Sequence, residues 1–154
     1  MAGDRQQAAN RLYMEVDSVA ANVGLVRVAV AALAAQAGFT ISDVEEIKVA
    51  VSEAVSNSVL HGYGVPSGGA SGVIRVTAIL RTGSIAIVVE DDGKGMDDVE
   101  RCMKGGAGDD PERMGLGFIF MKSLMDSVEV TSTPGRGTRV SMSKYVPGAE
   151  GGRG

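Results

Sequence analysis

Three observations predict an α+β fold, a two-layer sandwich whose mainly antiparallel, mixed sheet is covered on one face by three helices. Helical segments and hairpin strands are segregated along the chain and do not alternate as β-α-β. Val/Ile-rich strands come in pairs, joined by short Gly-containing turns. The chain has 154 residues, 44% hydrophobic and 22% charged, the size and balance of a single globular domain.

Taken in order, residues 1–10 lack periodicity and are expected to form a flexible arm. Leu12–Val16 alternates briefly, as an edge strand does. Asp17 or Ser18 is placed to cap a first helix, which runs to about Ala37 and stops at Gly38. Ser42-x-x-Glu45 has the spacing of a capping box for a second helix, continuing to about Leu60 and breaking at Gly62. After a Gly/Ser/Pro loop, strands 72–80 and 84–90 flank Arg81-Thr82-Gly83. Residues 92–117 are charged and Gly-rich without apolar periodicity, so a long functional loop is expected. A third helix is predicted from about Gly117 to Met125. Strands 127–133 and 138–145 flank Pro134-Gly-Arg-Gly137. The folded domain is thus expected over 11–146, with residues 147–154 a disordered Gly-rich tail.

Composition excludes some classes. With no Trp, the core must come from Val, Ala, Ile, Leu and Met. Cys102 is the sole cysteine, so no internal disulfide forms, and a reducing, cytoplasmic setting is expected. The first ten residues are too polar for a signal peptide. Arg27 interrupts the most apolar run, 23–35, which argues against a membrane span. A net charge of −4 argues against direct nucleic-acid binding.

Three segments carry chemistry. On the second helix, Val44, Ile47, Val51, Ala54, Val55 and Ser58 share a sheet-facing stripe. Glu46, Ala50, Glu53, Asn57 and His61 fall opposite, with Val49 and Leu60 at the margin. That face is too apolar for a solvated one, so Glu53 and Asn57, stacked one turn apart, would line a half-buried cleft. The spacing alone also describes a surface Glu–Asn pair. In Val88–Met96 a buried strand runs into Asp91-x-Gly93-x-Gly95, where glycine lets backbone approach a ligand and Asp91 can accept from an amino group; an Asx-capped turn has the same pattern. Arg113-Met-Gly-Leu-Gly-Phe118 precedes the third helix, whose N-terminal amides would suit an anion, with Arg113 adding charge. It is neither a Walker loop nor a Rossmann fingerprint.

As an ordered set, Glu53-x-x-x-Asn57, Asp91-x-Gly93-x-Gly95, Gly115-x-Gly117 and Gly135-x-Gly137-Thr138 resemble the N, G1, G2 and terminal boxes of the GHKL (Bergerat-fold) ATPases. SEAVSNSVLHGY, residues 52–63, looks like the anti-sigma factor serine/threonine kinases of the SpoIIAB and RsbW group. The likeness covers roughly residues 12–145.

The resemblance implies an ATP/ADP site. Asn57 would coordinate Mg²⁺, and Glu53 would be the catalytic base for a serine hydroxyl. Asp91 would accept from the adenine amino group, with Thr138 supporting the base and Gly93, Gly95 and Met96 shaping the turn. An ATP lid would span about 97–114. Lys104 and Arg113 would neutralise phosphate beside Gly115, Leu116 and Gly117. The run 106–111 departs from the family pattern, and His61 fits a structural role. Implied partners are an RNA polymerase sigma factor, a STAS-type anti-anti-sigma substrate and a second copy in a homodimer. The first helix is apolar almost all round. Val19, Val23, Val26, Val30 and Leu33 would face the sheet, while Ala20, Gly24, Ala31, Ala35 and Arg27 would face a partner.

The leading expectation is therefore an anti-sigma factor that is also a protein serine/threonine kinase, in sporulation or stress control. One alternative is the excised ATPase domain of a histidine kinase; a self-contained one is excluded, because the sole histidine lies in the N box. The other is a nucleotide-gated sigma-binding protein with little catalysis.

Overall fold

The computed structural model describes residues 8–62, 72–103 and 111–148, with backbone alone for 111–114. The elements run β1 (Asn10–Asp17), α1 (Ala21–Ala34), α2 (Ile41–Asn57), a π-turn (Ser58–Gly62), β2 (Val73–Arg81), β3 (Ser84–Asp91), α3 (Val99–Met103), α4 (Pro111–Leu124), β4 (Ser127–Thr133) and β5 (Gly137–Tyr145). The five strands form one sheet in the order β1-β2-β3-β5-β4. All four pairings are antiparallel, so the mixed character expected of the sheet is absent among them. β5 inserts between β3 and β4, and the excursion from β3 to β5 carries α3, α4 and β4.

Strand alternation sorts the two faces. Inward residues of β2 and β3, including Ile74, Val76, Ala78, Ile85 and Ile87, are fully buried. They share one core with Val26 and Val30 of α1, Ile47, Val51 and Val55 of α2, and Phe118 and Met121 of α4. Full burial of such a side chain contributes roughly 1.5–3 kcal/mol. Lys144 breaks the apolar inner face of β5. It is 8% exposed and donates to Glu46 Oε2 at 2.7 Å and to the Leu124 carbonyl at 2.6 Å, tying β5 to α2 and to the end of α4.

Several boundaries differ from expectation. Ala9 donates to the Leu80 carbonyl and β1 begins at Asn10, so the end of the expected arm belongs to the sheet; residues 1–7 and 149–154 lie outside the described residues. Neither Asp17 nor Ser18 caps α1. Asp17 is still strand, Ser18 N–H continues onto the Gly72 carbonyl, and the N-cap is Ala20 without a side-chain bond. α1 ends at Ala34, three residues early. The box on α2 is Thr40/Asp43. Thr40 is extended and its Oγ1 accepts from Asp43 N–H at 3.1 Å, while the Asp43 carboxylate accepts from Thr40 N–H at 2.9 Å. Glu45 pairs instead with Lys48.

The long stretch expected to be loop is partly helical. α3 lies within it, and α4 begins at Pro111 rather than near Gly117, which makes four α-helices where three were expected. Proline fits the first helical position, whereas Gly115 and Gly117 have the low helix propensity that hid this helix. α4 packs against α2, but the marginal Val49 and Leu60 stay 43% and 37% exposed, so the expected apolar margin is not covered. Ala50, expected on the cleft side, is fully buried.

Candidate functional site

The site is founded on one rung of the sheet. Ile74, Asp91, Thr138 and Ser132 are in-register partners across β2, β3, β5 and β4, all with inward side chains. Asp91 is the polar residue at the centre of this rung, and it is 5% exposed. Its Oδ1 accepts from Gly93 N–H at 2.9 Å and its Oδ2 from the Ser58 hydroxyl at 2.7 Å. Strand alternation turns the next residue, Asp92, the other way. There a bidentate contact from Arg75, at 2.7 and 2.9 Å, holds its carboxyl below the usual range.

The π-turn ending α2 brings Ser58 and Gly62 to Asp91. Such a turn inside a helix often marks a functional site. The Gly62 carbonyl accepts from Lys94 N–H at 2.8 Å. A methyl group at Gly93 would stand 2.2 Å from that carbonyl oxygen, so only glycine fits there. Gly95 adopts φ +71°, and a methyl group on it would stand 2.1 Å from the Thr133 carbonyl oxygen. Gly135 N–H donates to the Lys94 carbonyl at 2.6 Å. Met96 N–H donates to Ser132 Oγ at 2.8 Å, and Ser132 in turn contacts Thr138 Oγ1 at 2.9 Å. The Asp91–Met96 turn is thus clamped between the end of α2 and the β4–β5 hairpin.

Above the rung lies a cleft walled by Ala54, Asn57, Asp91, Met96, Phe118 and Thr138, with Ser58, His61 and Gly95 also reaching it. Its lining mixes apolar Ala54, Met96 and Phe118 with polar Asn57, Asp91 and Thr138, the usual make-up of a small-molecule site. Asn57 Nδ2 is buried without a hydrogen-bond partner. Such an orphan costs about 1–3 kcal/mol unless a ligand satisfies it. One turn earlier on α2, Glu53 is half-buried, and this desolvation raises its carboxyl above the usual range. Glu53 and Asn57 share a neighbour, Gly117 of α4, where a methyl group would stand 3.0 Å from Glu53 Oε2 and 3.2 Å from Asn57 Nδ2.

The structure therefore brings together Asn57, Asp91, Gly95, Met96 and Thr138 around the cleft, with Gly93 beneath it and Glu53 beside Asn57. It corrects the placement of the segment 113–118. Gly115, Leu116 and Gly117 lie inside α4 rather than ahead of a helix start, and none lines the cleft; Leu116 is half exposed. Lys104 and the side chain of Arg113 fall outside the described residues. Arg27 lies across the α1–α2 groove, its Nη1 3.4 Å from Ser52 Oγ. Nearby on α1, Leu25 and Val28 are more than half exposed.

Sequence reasoning missed Ser58, Gly62 and Ser132. Ser58 carried a usable signal: a hydroxyl on the buried stripe of a helix needs a polar partner across the interface.

No group of three or more His, Cys, Asp or Glu able to hold a metal exists among the described residues. The donors that do fit a hard cation are the Asn57 amide and the Glu53 carboxylate. That suits Mg²⁺, which takes few protein oxygens and completes its shell with phosphate and water.

Fold and cleft together define a nucleotide-binding α+β ATPase module, and comparison with known proteins agrees. A family model described as the histidine kinase-like ATPase domain matches residues 16–144. The chain belongs to this family, in its GHKL branch. An anti-sigma F factor of Thermoanaerobacter sp. (strain X514) is 41% identical over 139 residues, 89% of this chain and 94% of that protein. The anti-sigma F factor of Pasteuria penetrans is 43% identical over 139 residues, 89% and 91% of the two chains. The crystal structure of the RsbU and RsbW domains of Rv1364c from Mycobacterium tuberculosis shares the fold, with a TM-score of 0.63 and 22% identity over 89% of this chain and 32% of that one. No helix among the described residues is long and apolar enough to cross a membrane.

Proposed function

We propose that this protein is a cytoplasmic anti-sigma factor and a Mg-ATP-dependent protein serine/threonine kinase, acting on a serine of a STAS-type anti-anti-sigma factor. The observation that carries the nucleotide reading is the buried Asp91 carboxylate, clamped at the floor of a cleft and facing it as an acceptor. The sigma and anti-anti-sigma assignments rest on the anti-sigma relatives and on the 52–63 text.

In this reading Asp91 accepts from the amino group of adenine, and Thr138 supports the base. The Asn57 amide oxygen would hold Mg²⁺, which would supply neutralisation of phosphate charge, while its unpartnered amide N–H is free to donate to a phosphate oxygen. Glu53 takes the proton of the serine hydroxyl as its oxygen forms a bond to the γ-phosphorus and the bond to the bridging oxygen breaks, leaving ADP. Burial that raises Glu53 makes it a better base than an ordinary carboxylate. In the same reading residues 97–114 take the role of a lid, and Lys104 and Arg113 that of neutralising phosphate charge. Arg27, with the exposed Leu25 and Val28, belongs to a protein interface, either with the sigma factor or between two copies in a homodimer.

Incubation with γ-labelled ATP and the anti-anti-sigma partner tests this. Label on a partner serine supports it, and label on a histidine points to a histidine-kinase module. Tight sigma and ATP binding without transfer leaves a nucleotide-gated binder.

A further inference from the structure

Ser58 has one hydroxyl proton, and the structure commits it. The hydroxyl is buried and donates to Asp91 Oδ2 at 2.7 Å, while Gly93 N–H holds Oδ1 at 2.9 Å. Asp91 is therefore pinned on both oxygens, and Gly62 packs against the same carboxylate, where a methyl group would stand 3.1 Å from Cγ. What Ser58 shows the cleft is oxygen lone pairs only.

The same accounting applies further along the rung. Ser132 Oγ accepts from Met96 N–H at 2.8 Å and lies 3.0 Å from the Gly137 carbonyl, which can only accept. Its single proton goes to that carbonyl. In the 2.9 Å contact with Thr138 the donor is then Thr138, which in turn faces the cleft with lone pairs. Asp91, Ser58 and Thr138 together make a wall of acceptors.

We infer that Ser58 is a positioning residue for base selection, holding Asp91 as a fixed acceptor and so favouring a 6-amino purine over a 6-oxo purine. This rests on the nucleotide reading above. An amino group at the 6-position donates to such a wall, whereas a 6-oxo group meets it lone pair to lone pair. Sites built to bond one polar group reject analogues lacking it by up to about 10⁴-fold. A carboxylate held only by Gly93 would regain rotation. It could then turn both oxygens to the N1–H and 2-amino edge of guanine. Fixing the carboxylate is thus what excludes guanine.

The test is calorimetric titration of the full chain with Mg-ATP and with Mg-GTP. For Ser58→Ala the ratio of ATP to GTP affinity should fall about tenfold, the value of one hydrogen bond. Ser58→Thr, which restores the donor, should recover it. Ser58→Cys keeps the volume with a weak donor and should lie between, which also serves if the alanine variant does not fold. Equal loss of both affinities, or an unchanged ratio, overturns the inference, because packing alone would act on both nucleotides alike. If the wild-type chain binds neither nucleotide, the proposed function itself fails.

Discussion

Gly117 of α4 lies against Glu53 of α2 so closely that a methyl group on it would stand 3.0 Å from Glu53 Oε2. The contact decides between two opposing effects in Gly117→Ala. Alanine gains about 1 kcal/mol of helix propensity over glycine. The atoms it crowds are the ends of Glu53 and Asn57, which can swing away. The variant should therefore unfold at the same or higher temperature while ATP affinity falls about tenfold or more. Thermal unfolding and ATP titration together check this, and a variant both less stable and unchanged in binding would contradict it.

Glu53→Gln should keep ATP binding and lower phosphoryl transfer by about 10²–10⁴-fold. Because burial raises Glu53, the wild-type transfer rate should decline with falling pH earlier than an ordinary carboxylate would dictate. Stability carries the opposite sign. A group whose pKa is higher in the folded state favours folding below its unfolded value, and that contribution is lost as pH rises through the folded value. The glutamine variant should thus match the wild type at low pH and exceed it at neutral pH, which melting across a pH series would reveal.

The start of α2 rests on Thr40. Thr40→Ala should cost about 1 kcal/mol, whereas Ser42→Ala should be nearly silent. Bonding from Thr40, chiefly its backbone N–H, holds Asp43 below its usual range. Its contribution is present above the ordinary Asp value and lost as pH falls through the lower folded one. Urea unfolding of the two variants, repeated under acid, separates them.

Lys144→Met should destabilise by about 1–3 kcal/mol. It removes the donor to Glu46 and to the Leu124 carbonyl while conserving volume. Glu46 is 38% exposed, which places the loss below that of a fully buried pair. A cycle with Glu46→Gln should show coupling; strict additivity would not fit the geometry.

Arg27→Glu should weaken capture of the sigma factor or of a second copy, leaving ATP affinity unchanged. Arg27 does not line the nucleotide cleft. Pull-down and titration on one preparation make the comparison.

What could be read from residue order was whatever repeats locally. β4 matches at both ends, because a strand between polar turns announces itself. Glu53, Asn57, Asp91 and Thr138 stood out as an ordered set resembling the GHKL boxes, and Asn57, Asp91 and Thr138 meet at one cleft with Glu53 one turn away on α2. The start of α4 was hidden by its glycines, of which Gly117 lies against Glu53 and Asn57 of α2. The capping box was displaced by two residues because Ser42-x-x-Glu45 and Thr40-x-x-Asp43 overlap, and only chain direction at Thr40 chooses between them. Ser132 was unreadable as a site residue, and Ser58 showed only that its buried hydroxyl needed some polar partner. Each acts through a partner far away in sequence, Asp91 for Ser58 and the backbone N–H of Met96 for Ser132.

The place of β5 in the sheet has a consequence during synthesis. Asp91 emerges from the ribosome well before Thr138, yet β5 is the strand that lies against β3. Until Gly137–Tyr145 has been made, β3 offers one bare edge of backbone donors and acceptors beside Ile85, Ile87 and Val89. A chain interrupted there would hold Glu53, Asn57 and Asp91 but lack Thr138 and Val140, the β5 side of the cleft. On the proposed reading, nucleotide capture reports a finished chain, and the unfinished chain is the form most exposed to edge-to-edge association.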